Sequence, residues 1–378
     1  MFFSKVGLEA VRRAGWRPDV VHAHDWHTAA AINWLAIAGR RDPFWSGVGT
    51  ILTIHNLAYQ GWTDQGAIGL LGVEAGGMLG VEWERFGGQV NLLARGLSYA
   101  DAITTVSPTY AREILTPEYG EGLDGLLRSR ADRLHGILNG IDLDQCNPAV
   151  DRRLAANFDA ERVEARAANT RQLRGFFDLP ERPVPLAGVV ARLTSQKGFD
   201  LVAQALDRLL ALDLQIAVLG TGEPFYHQFW QAAARRYPEQ VGVRLGYDAA
   251  VAQLVYGGAD LFLMPSRFEP GGLGQLFAMR YGSIPIVRAT GGLADTVRDA
   301  DADPAGGTGF VFGPYTVDAL LDAAARAVAA YHQPARWRGL IRRAMTQDFS
   351  WGRSARAYEE VYALAAGAPL APVEAAGD

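Results

Sequence analysis

Short apolar runs alternate with amphipathic stretches along most of this chain. "DVVHAHD" (19–25), "GTILTIHN" (49–56) and "DAITTVSPT" (101–109) read as strands. So do "VPLAGVVARL" (184–193), "LQIAVLG" (214–220), "VGVRLGY" (241–247), "ADLFLMPS" (259–266), "IPIVRA" (284–289) and "GFVF" (309–312). Near-continuous apolar runs of this length suit strands buried on both faces. Helical patterns fall between them. "WHTAAAINWLAIAG" follows the first strand, "QVNLLARGLSYA" (89–100) reads as one helix, and "PTYAREIL" starts another. Further on, "FDLVAQALDRLLAL" places Leu201, Ala205 and Leu209 on one stripe; "YHQFWQAAARRY" and "AAVAQLVYG" continue the series. A later helix turns Val317, Leu320, Leu321, Ala324 and Val328 inward. The opening "MFFSKVGLEAVRRAGWRPD" is an amphipathic helix, with Phe3, Val6, Leu8 and Val11 apolar and Arg12 and Arg13 toward water, as if the chain began in mid-fold. Strands alternating with helices predict parallel sheets covered on both faces. The series is interrupted twice, by an aromatic, glycine-rich loop reaching residue 88 and by a polar, Arg- and Ala-rich helical stretch, 151–175. The second interruption marks the join between two lobes. The tail "AAGAPLAPVEAAGD" has no periodicity and reads as disordered.

Composition narrows the picture without choosing a function. The 378 residues are 49% hydrophobic and 20% charged, enough chain for two globular domains. A net charge of −5 argues against nucleic acid, whose binders carry basic patches. The single cysteine, Cys146, excludes an intramolecular disulfide and cysteine-rich zinc sites. No apolar run reaches the ~18 residues of a membrane helix, and the opening lacks a signal peptide's apolar core. A cytoplasmic location is the default.

In open parallel sheets, ligands bind beyond the carboxyl ends of the strands, and the candidate residues cluster there. Glu269 stands between a strand and a helix, followed by Pro270, Gly271 and Gly272. Glycines let a ligand approach the backbone, and free N–H groups at a helix start favour anions. The acid either serves sugar hydroxyls or a developing positive charge, or is a surface carboxylate before a turn. "ARLTSQKGFD" places Arg192 and Lys197 after another strand, cations suited to a diphosphate or merely solvated around a turn. "HAHDWH" gathers three histidines and Asp25. Alternation sends His22 and His24 to one face and Ala23 and Asp25 to the other, and no partner carboxylate motif follows, so Asp25 is a polar site residue rather than part of a metal site. His55 and Asn56 end the next strand, to bond a sugar or cap the loop. Gly220 and Gly222 of "GTGEP" form a weak phosphate or ribose signal. Tyr247 stacks on a base or is a half-exposed aromatic. "TGGLAD" (290–295) is another glycine-rich strand-to-helix turn, and "DADAD" (299–303) reads as a solvated loop.

Together, "VVHAHDWH", "TIHNLAYQG", "TTVSPTYAREI", "GILNGID", "ARLTSQKG", "SRFEPGGLGQL", "TGGLADTV" and "DFSW" resemble, in that order, the bacterial glycogen synthases and starch synthases, retaining GT-B glycosyltransferases. The resemblance covers roughly residues 1–365. It implies an α/β fold of two Rossmann-like parallel-sheet lobes facing a cleft. Residues 1–145 would form a partial, acceptor-side N-terminal lobe, 146–176 a connecting segment and 177–345 the nucleotide-sugar-binding lobe. Residues 346–366 would be a helix packing back on the first lobe, and 367–378 a disordered tail. The implied activity is transfer of glucose from ADP-glucose to the non-reducing end of an α-1,4-glucan (glycogen), with no metal or other cofactor and no nucleic-acid or membrane partner. The alternatives are a truncated, non-catalytic nucleotide-sugar- or glucan-binding remnant, and a related GT-B transferase with another acceptor.

By position, Arg192 and Lys197 match the family's donor-phosphate cations and Glu269 its essential acid beside the transferred glucose. Asp25 and His55 match glucose-side residues, Asn139 a cleft residue and Tyr247 the aromatic stacked on adenine. Gly271, Gly272 and Leu273 at the helix start, with Gly220 and Gly222, would complete substrate binding. Three departures stand out. The family's opening strand and Lys-x-Gly-Gly-Leu loop have no counterpart, which implies an incomplete N-terminal lobe with exposed sheet backbone. The second acid common in the superfamily, eight residues after the first, is Phe277 here. Gly271 and Gly274 replace side chains expected in close relatives.

Overall fold

A computed structural model describes residues 2–64, 66–69 and 89–367. Most of the glycine-rich loop that reaches residue 88, and the tail from residue 368, lie outside these. The chain divides into two compact units, Met1–Leu138 with Gly352–Asp378, and Asn139–Trp351.

The first unit is built on a parallel sheet of β1 (Val20–His24), β2 (Gly49–Ile54), β5 (Ala102–Thr105) and β6 (Leu134–Gly136), in the order β1-β2-β5-β6. A separate antiparallel pair joins β3 (Trp62–Asp64) to β4 (Gln89–Asn91). All six positions of β2 are buried, and the two threonines among them are satisfied, Thr50 by donating to Asp101 and Thr53 by its contact with the Thr104 hydroxyl. Alternate residues serve opposite faces. Leu52, Ile54 and Ile103 meet the helices Asp25–Ile37 and Leu92–Tyr99 on one face, while Ile51, Ala102 and Ile137 pack against Val361 of the helix Trp351–Ala365. Two sequence expectations change here. Residues 89–91 are strand, and the helix begins only where the Asn91 side chain accepts the Ala94 N–H. In the opening helix, Phe2–Arg13, Ser4 and Leu8 are the buried pair, whereas Phe3 and Val6 are exposed.

The second unit holds six parallel strands: β7 (Leu186–Leu193), β8 (Gln215–Gly222), β9 (Val241–Leu245), β10 (Leu261–Met264), β11 (Ile284–Arg288) and β12 (Phe310–Phe312). Their order is β12-β11-β10-β7-β8-β9. Numbered within the unit this is 3-2-1-4-5-6, the doubly wound Rossmann arrangement, whose direction of winding reverses between β7 and β10. The helix Phe199–Leu210 buries Leu201, Ala205 and Leu209 as its spacing predicts. The stretch 151–175 is helical only from Val163, as a 3-10 turn running into Arg166–Phe176. Upstream of it, polar side chains take the backbone groups a helix would use. The Asp159 carboxylate accepts the N–H groups of Glu161 and Arg162, and Asn157 donates to the Pro148 and Asp151 carbonyls. "DADAD" is exposed at Asp301 and Ala302, as a solvated loop would be, but it is also pinned: Asp299 accepts from the Val311 N–H, and Arg326 pairs with Asp299 at 3.0 Å and Asp301 at 2.8 Å. No helix among the described residues is long and apolar enough to cross a membrane.

Candidate functional site

At the β7/β10 reversal lies a cavity of about 470 Å³, with Arg192, Lys197, Glu269 and Tyr247 among its lining residues. Glu269 follows β10 and is only 5% exposed. Both its oxygens are engaged: Lys197 Nζ donates to Oε1 at 2.8 Å and Oε2 at 2.6 Å, and the Ser266 hydroxyl donates to Oε2 at 2.9 Å. An ammonium in contact with both oxygens offsets much of the cost of holding a carboxylate away from water.

Three loops impose this arrangement. Lys197 ends a one-turn 3-10 helix after β7, and Gly198 then turns left-handed, at φ +81°. A Cβ on Gly198 would stand 2.1 Å from the Pro265 carbonyl oxygen, so only glycine lets the β7 loop lie against the end of β10. The Arg267 N–H closes the contact by donating to the Gln196 carbonyl at 2.9 Å. Behind the acid, Gly291 (φ +43°) approaches so closely that a Cβ would fall 2.0 Å from the Glu269 carbonyl oxygen, and the Gly292 N–H donates to that oxygen at 3.0 Å. "TGGLAD" therefore buttresses the loop carrying the acid.

Other candidates divide. Gly272 and Leu273 line the cavity, and Tyr247, 82% exposed, stands on its wall. Gly271, Gly220 and Gly222 are not among the lining residues. A Cβ on Gly220 or Gly222 would fall 2.3 Å from the carbonyl oxygen of Ala191 or Leu193 on the neighbouring strand, and the Gly222 N–H donates to His227 Nε2 at 2.9 Å. Asn139 is half-buried at the first position of this unit. Sequence reasoning passed over Ser266, Gln253 and Arg153, which also line the cavity. Ser266 carried a usable signal, since it ends the same apolar run that points to Glu269.

In the first unit the ends of β1 and β2 bring Asp25 and His55 together. Asp25 has φ +53°, opens the helix Asp25–Ile37, and accepts the His55 N–H at 2.8 Å. The side chains of His24 and His55 meet at 3.0 Å through Nδ1 and Nε2, and His22 stacks on His24 with ring centroids 4.2 Å apart. His22 is also tied to Thr53 Oγ1 at 2.6 Å and to the Tyr362 hydroxyl at 2.8 Å. Burial, reinforced by the neighbouring imidazoles, pushes the pKa of His22 down to about 4; burial and His55 lower that of His24. Asn56 caps its own loop, accepting the Ala58 N–H at 3.1 Å. Among the described residues no group of three or more His, Cys, Asp or Glu side chains is placed to hold a metal ion.

Two Rossmann-like parallel lobes in one chain, the second with an acid and two cations at its switch point, define the GT-B class of glycosyltransferase. Residues 1–129 match the family described as "Starch synthase catalytic domain", and residues 176–342 match "Glycosyl transferases group 1". A glycogen synthase of Moorella thermoacetica is 46% identical over 362 residues, covering 96% of this chain and 74% of that protein. One from Anaeromyxobacter dehalogenans is 48% identical over 364 residues, covering 96% and 76%. Among solved structures, the catalytic domain of starch synthase IV from Arabidopsis thaliana, bound to ADP and acarbose, superimposes with a TM-score of 0.88 at 36% identity, covering 97% of this chain and 76% of that one. Sucrose-phosphate synthase of Thermosynechococcus elongatus shares the fold alone, with a TM-score of 0.59 at 19% identity. The chain belongs to the glycogen and starch synthase family.

Proposed function

We propose that this chain transfers glucose from ADP-glucose to the non-reducing end of an α-1,4-glucan, with retention of configuration. The observation that carries the proposal is the Lys197–Glu269–Ser266 cluster, opening onto a cavity that Arg192 and Tyr247 also line. The relative solved with ADP and acarbose supports both the nucleotide and the glucan-like acceptor.

Arg192 and Lys197 hold the donor diphosphate and Tyr247 its adenine. An ammonium carries three donors, and Glu269 engages Lys197 with both carboxylate oxygens, so the geometry leaves Lys197 able to turn a third N–H toward phosphate. As the bond between glucose C1 and the phosphate oxygen breaks, negative charge grows on the diphosphate, and fixed cations there lower the barrier without metal chemistry. The acceptor hydroxyl oxygen bonds to C1 on the same face, and its proton passes to the departing phosphate oxygen. The Glu269 carboxylate, held by Lys197 and Ser266, lies beside the sugar and stabilises the positive charge that develops at C1. Asp25 and His55 are assigned to the glucose, and Asn139, Gly271, Gly272 and Leu273 to substrate binding.

Incorporation of labelled glucose into glycogen, supplied as ADP-glucose or UDP-glucose, tests the proposal. Label should enter glycogen from ADP-glucose. ADP binding without transfer to any acceptor would replace the enzyme by a binding protein, and transfer to a small sugar instead of glycogen would overturn the acceptor.

A further inference from the structure

The cavity wall that carries Tyr247 continues into the helix Ala249–Gly258. Ala249, Ala252, Gln253 and Tyr256 stand at i, i+3, i+4 and i+7, on one face of that helix, and all four line the cavity. Three are apolar or aromatic, and Gln253 is the single amide among them. Its Oε1 is buried, and no donor among the described residues reaches it. A buried carbonyl oxygen without a donor is unusual and costly, and in a ligand cavity it marks the place for a donor the ligand brings. Of the cations that line the cavity, Arg153 donates through Nε and Nη2 to Asp151 at 2.7 and 2.8 Å, and Arg192 and Lys197 are assigned above to the diphosphate.

Flat apolar walls with one convergent polar group suit a heteroaromatic ring read along its edge. Resting on the nucleotide assignment proposed above, we infer that Gln253 reads the edge of the base. Its Oε1 accepts an N–H of adenine's exocyclic amino group, and its Nε2 donates to the adjacent ring nitrogen, the two-point pairing an amide makes with adenine. Gln253 is thus a specificity residue for the base rather than a participant in the chemistry at Glu269.

Calorimetric titration tests this with two ligands, ADP and purine riboside diphosphate, which has the same sugar and phosphates but lacks the amino group. Both are titrated into the full chain and into the Gln253→Ala and Gln253→Leu variants, the latter keeping most of the side-chain volume. The unmodified chain should prefer ADP by about five- to tenfold, the worth of one such hydrogen bond. Both variants lose the bond to the ring nitrogen with either ligand, so ADP should weaken by a further five- to tenfold beyond purine riboside diphosphate and the two should then bind alike. An equal loss for both ligands, or a preference that survives the substitutions, overturns the inference while leaving the nucleotide assignment intact. If the unmodified chain binds neither ligand, the nucleotide assignment fails and this inference with it.

Discussion

Glu269 and Lys197 pose a problem that activity loss alone cannot resolve, because they are each other's structural partners as well as the proposed catalytic pair. Removing Lys197 leaves the buried Glu269 carboxylate without its cation, which typically costs ~3–5 kcal/mol of stability, and removing Glu269 leaves the half-buried Lys197 ammonium without its partner at a smaller cost. Glu269→Ala and Lys197→Ala should therefore each lower both turnover, by ~100-fold or more, and the urea midpoint. The double variant Lys197→Met/Glu269→Gln removes both charges at similar volume. It should recover most of the stability and none of the turnover, a split read by denaturation beside glucose incorporation; activity restored with stability would end the catalytic assignment. His22 makes a pH prediction. Its imidazole is held neutral, so between the ordinary value near 6.5 and about 4 the unfolded chain binds the extra proton. Its contribution is present above that window and is lost as pH falls through it. Urea midpoints should decline over this range, and His22→Gln should flatten part of the decline.

At the level of elements, the site is a meeting of loops, and two glycines allow them to meet. Gly198→Ala and Gly291→Ala each force a side chain into a left-handed backbone and against a carbonyl oxygen that cannot yield. Each should cost ~1–3 kcal/mol or more in the urea midpoint and lower turnover by displacing Lys197 or Glu269. An alanine variant with unchanged activity would show that these loops do not position the pair. The same elements show what the sequence could and could not convey. The parallel strands were legible because strands covered on both faces are largely apolar, and Arg192, Lys197 and Glu269 because they lie at or just beyond the ends of such strands. The non-helical course of 151–162 was hidden: Asp151, Asn157 and Asp159 belong to a composition that looks helical until their side chains are seen taking the backbone. Gly291 and Gly292 read only as punctuation, since their contact with Glu269 joins positions more than twenty residues apart. Gln253 went unnoticed because an amide on a helix says nothing until its neighbours prove to be a cavity wall.

For the whole molecule, what matters is that every described residue lining the cavity proposed to take the donor belongs to the Asn139–Trp351 unit. ADP at a hundred times its Kd should stabilise that unit by about 2.7 kcal/mol. Hydrogen exchange should accordingly slow in β7 and β10 while amides of β2 and β5 keep their unliganded rates; protection confined to β2 and β5 would misplace the nucleotide. The chain also passes from the first unit to the second after Leu138 and returns after Trp351, so the second is inserted within the first. On the ribosome, the inserted unit is complete when residue 351 emerges, but Ile51, Ala102 and Ile137 must wait for Val361 to cover them. At ordinary rates of synthesis that wait is on the order of ten to forty-five seconds, during which a greasy sheet face is open to chaperones and to its neighbours on the same message. The lobe translated first is therefore the lobe that closes last.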